Sequence, residues 1–189
     1  MTIYDDISAH IIGRIGITKA EADYLETLYK GFRGLHIEVG CLWGATALLA
    51  VLAKPAGHVV TIDYMKFGYW DDGDPDCNRK KPTPGAILDN LARFGVAHRV
   101  SVYKGPSYPF PLPNLKPDTA FIDAAHEFEG CVHDWQSLKD ITKHVIIFHD
   151  YGTNRHPGVQ RAVDEVARKD KGWKLREVVG TLAVFDRVK

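Results

Sequence analysis

The chain has 189 residues, a formal net charge of zero, and 45% hydrophobic and 25% charged residues, the size and balance of one globular domain. A neutral chain is not drawn by bulk charge to nucleic acid or to an anionic membrane surface, and no apolar run reaches the roughly 18 residues a membrane span needs. The first residues, MTIYDDISAH, carry acids where a secretory leader has a basic region, and Cys41, Cys77 and Cys131 are odd in number and lack metal-ligand spacing. Together these features predict a reduced, cytoplasmic protein without repeats or an internal linker.

In chain order, Ile7, Ile11, Ile12 and Ile15 recur at helical spacing and predict a short packing helix within residues 1–15. Thr18 caps a second helix, with Glu21 three residues on completing a capping box. Leu25, Leu28, Tyr29 and Phe32 form its apolar stripe, and Gly31 or Gly34 ends it. Residues 1–33 are therefore expected as a helical segment packing on the rest of a single 1–189 domain. The segment could cover a sheet edge, line a pocket or make a homodimer contact, and the sequence does not choose.

The stretch HIEVGCLWGAT, residues 36–46, predicts a strand from Leu35 to Val39, a glycine turn, and a helix from Trp43 to Leu52. Glu38 sits near the strand end. Gly40 and Gly44 allow positive φ and close approach, and the helix start directs free N–H groups toward the turn, which also contains Cys41. This is a ligand cradle at the carboxyl end of a strand, where open α/β sheets bind small molecules; a plain strand–helix turn would look the same locally. ATALLAVLA is apolar on every side and predicts a buried helix. HVVTID is the second strand. It ends on Asp63, the place where nucleotide-binding α/β folds hold a ribose and where an acid could equally cap a helix.

Residues 64–82 have no helical or strand period. Their aromatics Tyr64, Phe67, Tyr69 and Trp70, followed by acids and bases, predict either a flap over the site or a solvated insertion. Thr83 and Pro84 start a helix reaching Phe94. RVSVYKG is a third strand, followed by Ser107, and TAFIDAAH a fourth, with Asp123 and His126 at its end. Phe128, Cys131, Val132, Trp135 and Leu138 give a helix face. Lys143 to Phe148 form a fifth strand that ends in His149 and Asp150, and Pro157 opens one more helix. WKLREVVG and TLAVFDRV form a hairpin around Gly180 and Thr181. The alternation predicts a doubly wound, mostly parallel seven-stranded α/β sheet with an antiparallel C-terminal hairpin.

Strand ends of a parallel sheet share one edge, so Glu38, Asp63, Asp123, His126, His149 and Asp150 converge there. Acids and histidines in one cleft bind a cation or titrate abnormally. Asp123, His149 and Asp150 offer an oxygen/nitrogen/oxygen set suited to Mg²⁺ or Mn²⁺, with the histidine also admitting Fe²⁺ or Zn²⁺. Alternatively, Asp150 caps a local turn and His126 bonds locally at a helix start.

The pattern E-x-G-x-x-x-G at Glu38, Gly40 and Gly44, with Asp63 beyond it and the terminal hairpin, resembles the class I S-adenosylmethionine (SAM) methyltransferases. FIDAAHEFEG, IIFHDYG and HPGVQRAVDEV resemble the small-molecule O-methyltransferase branch, of the antibiotic- and sugar-tailoring and catechol types. The likeness spans roughly residues 35–189. It implies a Rossmann-like fold and methyl transfer from SAM to a hydroxyl of a small molecule. Glu38, Gly40, Cys41, Gly44, Asp63, Ser107 and Asp123 would hold the donor, with Ser107 beside its adenine. Asp123, His149 and Asp150 would hold a divalent metal, and Asp123 and His126 would serve catalysis, His126 as the base. His149 departs from the acidic or amide pair usual after the fifth strand. His126 stands where catechol-type enzymes carry a lysine. The competing expectations are an inactive binding module of the same fold and a metal-dependent hydrolase built on the Asp/His cluster.

Overall fold

The computed structural model describes residues 2–54, 56–65 and 82–188. Among these residues are six α-helices and seven strands. The helices are α1 (Ile3–His10), α2 (Lys19–Lys30), α3 (Ala45–Ala53), α4 (Pro84–Arg93), α5 (Phe128–Lys139) and α6 (Pro157–Glu165). The strands are β1 (His36–Val39), β2 (Val59–Asp63), β3 (Val100–Lys104), β4 (Thr119–Ile122), β5 (Val145–Phe148), β6 (Trp173–Val179) and β7 (Leu182–Arg187).

All seven strands form one sheet in the order β3-β2-β1-β4-β5-β7-β6. The first five pair in parallel, and β7 lies antiparallel between β5 and β6. The expected doubly wound sheet with a C-terminal hairpin is what forms. Its order reverses at β1, so β2 and β4 flank the carboxyl end of β1, where ligands of open sheets bind.

Period-two side chains sort the core into two faces. Phe121, Ile147 and Val184 point to the face covered by α1 to α4, whereas Ala120, Ile122, Ile146, Phe148 and Phe185 point to the face covered by α5 and α6. α3 is buried almost all round, as its uniform apolarity demands. Trp135 anchors the second face, stacking on Phe148 with ring centroids 5.7 Å apart.

Capping fixes the helix starts. Thr18 and Glu21 form the expected reciprocal box, and Thr83 accepts from the Ala86 amide at 3.1 Å ahead of Pro84. α1 carries a second such box, Thr2 with Asp5. It departs from expectation in length: the helix stops at His10, and Ile11 is already extended. The isoleucine spacing continues past that point, but Gly13 takes φ 104° and turns the chain away. Ile11 and Ile15 still pack against the core from the connecting segment. The expected flap falls almost wholly on residues 66–81, outside the described residues, as does Cys77.

Candidate active site

The carboxyl end of β1 carries the cradle. Gly40 takes φ 84° and Gly44, at the start of α3, φ 81°. A β-carbon at residue 40 would lie 2.0 Å from the carbonyl oxygen of Asp123. The sequence ascribes this glycine to ligand approach; in the structure it is the backbone of the neighbouring strand end that excludes a side chain. Asp123 in turn donates its amide to Val39 at 2.8 Å, so cradle and cluster share a backbone seam.

The turn before α3 is held from β2: the N–H groups of Cys41 and Leu42 donate to Asp63 Oδ2 at 2.9 and 3.3 Å, and that of Met65 to Oδ1 at 2.7 Å. Asp63 therefore ties β2 to the turn. Three amides leave its carboxylate with unused acceptor capacity, since each oxygen accepts two bonds.

Glu38 is wholly buried. One of its oxygens accepts from the Thr46 hydroxyl on α3, and Oε2 is buried without a hydrogen-bond partner among the described residues. Burial, opposed by that hydroxyl and reinforced by the charges of Asp123 and Asp63, raises its carboxyl to about 8. An orphaned buried acceptor on the cradle wall suits a ligand bearing an ammonium or hydroxyl donor.

Ser107 lies in the turn after β3, and its hydroxyl donates to Asp134 on α5. Burial lifts Asp134 to about 6, against the pull of the Ser107 bond.

Beyond the seam sits the acid–histidine cluster. Asp123 follows β4 and His149 follows β5, whose ends are tied by the His149 amide to the Ile122 carbonyl at 3.0 Å. His149 Nδ1 lies 3.2 Å from Asp123 Oδ1 and 3.6 Å from Asp150 Oδ1. Asp150 adopts φ 60°, a left-handed conformation that an aspartate tolerates. Its Oδ2 lies 3.1 Å from His126 Nε2, which is 3.7 Å from Asp123 Oδ1. His156, the residue before α6, also reaches Asp150 Oδ2, at 3.6 Å.

Glu21 completes the group. The sequence reveals it only as a capping residue. It is nonetheless buried, accepts from the amide and hydroxyl of Thr181 at 2.7 Å each, and lies 3.9 Å from His149 Nε2. No local pattern signals this, because its partners come from β5 and the β6–β7 turn.

Charge follows geometry. Burial alone would lower His126, but the nearby carboxylates of Asp123 and Asp150 outweigh it and hold the imidazole at about 9. For His149, burial is likewise overcome, by Asp123, Asp150 and Glu21, and the ring rises to about 12. Burial tends to raise Asp150 and Glu21, but the facing histidines and, for Glu21, the threonine donors hold both well below the usual carboxylate range.

The donor set fits a divalent ion. Asp123, His149 and Asp150 offer ligand atoms all within 4.8 Å of one another. Glu21 behind Nε2 is the carboxylate that a metal-bound histidine characteristically addresses with its other nitrogen.

The chain matches no protein-family model and no curated protein. Among solved structures, it is similar to cofactor-bound Rv0187 from MTB, at 23% identity and TM-score 0.66 over 98% of this chain and 86% of that one. It is also similar to the O-methyltransferase from Bacillus cereus in complex with SAH, at 15% identity and TM-score 0.64 over 99% and 90% of the two chains. The SAH-bound Podospora anserina methyltransferase PaMTH1 gives 16% identity and TM-score 0.67 over 99% and 86%. The chain thus shares the Rossmann-like fold of these structures.

Proposed function

We propose that the whole chain is one SAM-binding unit that transfers a methyl group to a hydroxyl of a small molecule. The observation that carries this reading is the seam between Gly40 and Asp123, which sets a nucleotide-type cradle directly beside an acid–histidine cluster. The fold of the similar structures supports it, as does the orphaned oxygen of Glu38, two residues before Gly40.

SAM supplies an electrophilic methyl group on a sulfonium. The residues that would hold it are Glu38, Gly40, Cys41, Gly44 and Asp63, with Ser107 toward the adenine and Asp123 at the inner wall. Asp63 keeps the turn in shape through the Cys41 and Leu42 amides. The acceptor hydroxyl must lose a proton as it is methylated, and His126 stands at the cluster to take it. The carboxylates of Asp123 and Asp150 beside the His126 ring stabilise its charged form. A divalent ion held by Asp123, His149 and Asp150 would lower the pKa of a bound hydroxyl. The buried thiols Cys41 and Cys131 are free, in keeping with a reduced, cytoplasmic setting.

Calorimetric titration with SAM, followed by methylation assays on hydroxylated aromatics and sugars with and without divalent ions, tests the reading. Saturable binding and methyl transfer to oxygen are expected. A chain that binds no SAM refutes the proposal, and one that binds it but methylates no acceptor under any ion condition is instead a binding module.

A further inference from the structure

His156 takes no part in the reaction proposed above, yet it is built into the same corner. His156-Pro157-Gly158 begins α6, and there the backbone closes on the segment leading into α5. A β-carbon at residue 158 would lie 2.3 Å from the His126 carbonyl oxygen and 2.6 Å from the Phe128 nitrogen, so only glycine permits the approach. The approach lays the His156 ring on that of His126, with centroids 3.9 Å apart and planes inclined by 27°. Both Nε2 atoms then lie near one oxygen, Asp150 Oδ2, at 3.1 Å and 3.6 Å.

The shorter contact lacks the direction of a hydrogen bond: His126 Nε2 is buried and has no aligned partner among the described residues. Two atoms that are close without pointing at each other resemble neighbouring ligands of one cation. Bonds of about 2.1 Å at angles between octahedral and tetrahedral set such ligand atoms about 3.0–3.4 Å apart.

We propose that His126, His156 and Asp150 Oδ2 form a site for a first-row transition-metal dication, separate from the set made by Asp123, His149 and Asp150 Oδ1. Each of the three residues offers one ligand atom, and these three atoms lie within 4.8 Å of one another. Two imidazoles and one carboxylate suit Zn²⁺, Co²⁺ or Fe²⁺, whereas Mg²⁺ takes oxygen ligands. Asp150 divides its carboxylate, Oδ1 toward His149 and Oδ2 toward the stacked histidines. The carboxylates of Asp123 and Asp150 outweigh the roughly half charge at each nearby helix start. Where His126 acts as the base, an ion on its Nε2 displaces that role, so Zn²⁺ inhibits transfer. Binding itself does not depend on the proposed reaction.

Titration of the untagged, chelator-stripped chain with Co²⁺, without methyl donor or acceptor, tests the site. A visible Co²⁺ absorption band is expected, removed by Zn²⁺ and unaffected by excess Mg²⁺. X-ray absorption of the Zn²⁺-loaded wild-type chain should show two imidazole ligands. His156→Ala should weaken Co²⁺ binding at least about tenfold, the loss that even an outer partner of a metal ligand brings. It removes no helix cap, because the His156 side chain makes no capping bond. Unchanged Co²⁺ affinity in that variant, a single imidazole at the bound ion, equal competition by Mg²⁺, or a larger loss in His149→Gln than in His156→Ala overturns the assignment. Since no readout needs SAM, failure here is distinct from failure of the methyl-transfer reading.

Discussion

The carbonyl oxygen of Asp123 occupies the space a β-carbon on residue 40 would need, 2.0 Å from that position. This contact joins the two halves of the site, because any residue but glycine at 40 pries the end of β4 from β1. Gly40 also sits at φ 84°, which a side chain disfavours. Gly40→Ala is therefore expected to lower stability by about 2–4 kcal/mol through combined overlap and strain, with SAM affinity falling alongside. Urea denaturation checks this, and an unchanged midpoint would show that the seam yields without cost.

Asp63 has a structural duty that precedes any ligand. Its carboxylate gathers the amides of Cys41, Leu42 and Met65. Removing it leaves cradle donors unpaired, at about 1–3 kcal/mol for each buried group. Asp63→Ala should lose both stability and SAM affinity, whereas Asp63→Asn, which retains one acceptor oxygen, should lose less of each. Parallel denaturation and calorimetry decide the matter; equal losses in the two variants would mean that the amides do not depend on this carboxylate.

Much of this architecture is legible in the sequence, for physical reasons. Capping boxes are local, so Thr18 with Glu21 and Thr83 with Pro84 mark helix starts correctly. Alternation of strands and apolar helices dictates the parallel sheet, and strand-end positions place Glu38, Asp63, Asp123, His149 and Asp150 on one edge. What stays hidden depends on contacts between distant segments. The sequence gives Gly40 a ligand as neighbour because the Asp123 carbonyl belongs to another strand. It reads Ile11, Ile12 and Ile15 as helical because tertiary packing also rewards apolar residues in an extended segment. Above all it leaves Glu21 as a cap, since nothing near residue 21 announces Thr181 or His149.

Glu21 merits its own test. Its carboxylate accepts from the amides and hydroxyls of both Thr18 and Thr181 while facing His149. It thus links α2, the β6–β7 turn and the cluster. Glu21→Ala is expected to cost several kcal/mol, since it strands buried donors and removes a carboxylate facing His149. A double-mutant cycle with Thr181→Val should return a coupling of about 0.5–3 kcal/mol. Additive effects in that cycle would argue that the turn does not rely on Glu21.

The cluster also predicts opposite pH trends for stability and rate. In chelator-treated protein, His126 is held at about 9 against an ordinary value near 6.5, because Asp123 and Asp150 overcome the effect of burial. The folded state therefore keeps its proton longer than the unfolded chain does. The stabilisation from this group is complete below about pH 6.5 and is lost as pH rises through about 9. His149, raised to about 12, and Glu38, raised to about 8, contribute the same sign over parts of this range. The melting temperature should thus fall between pH 6.5 and 9, and Asp150→Asn should flatten the fall. A general base, by contrast, works only once deprotonated, so methyl transfer at saturating SAM should rise across the same window. A rate that declines in step with stability would remove His126 from the reaction and leave it a purely structural partner of Asp150.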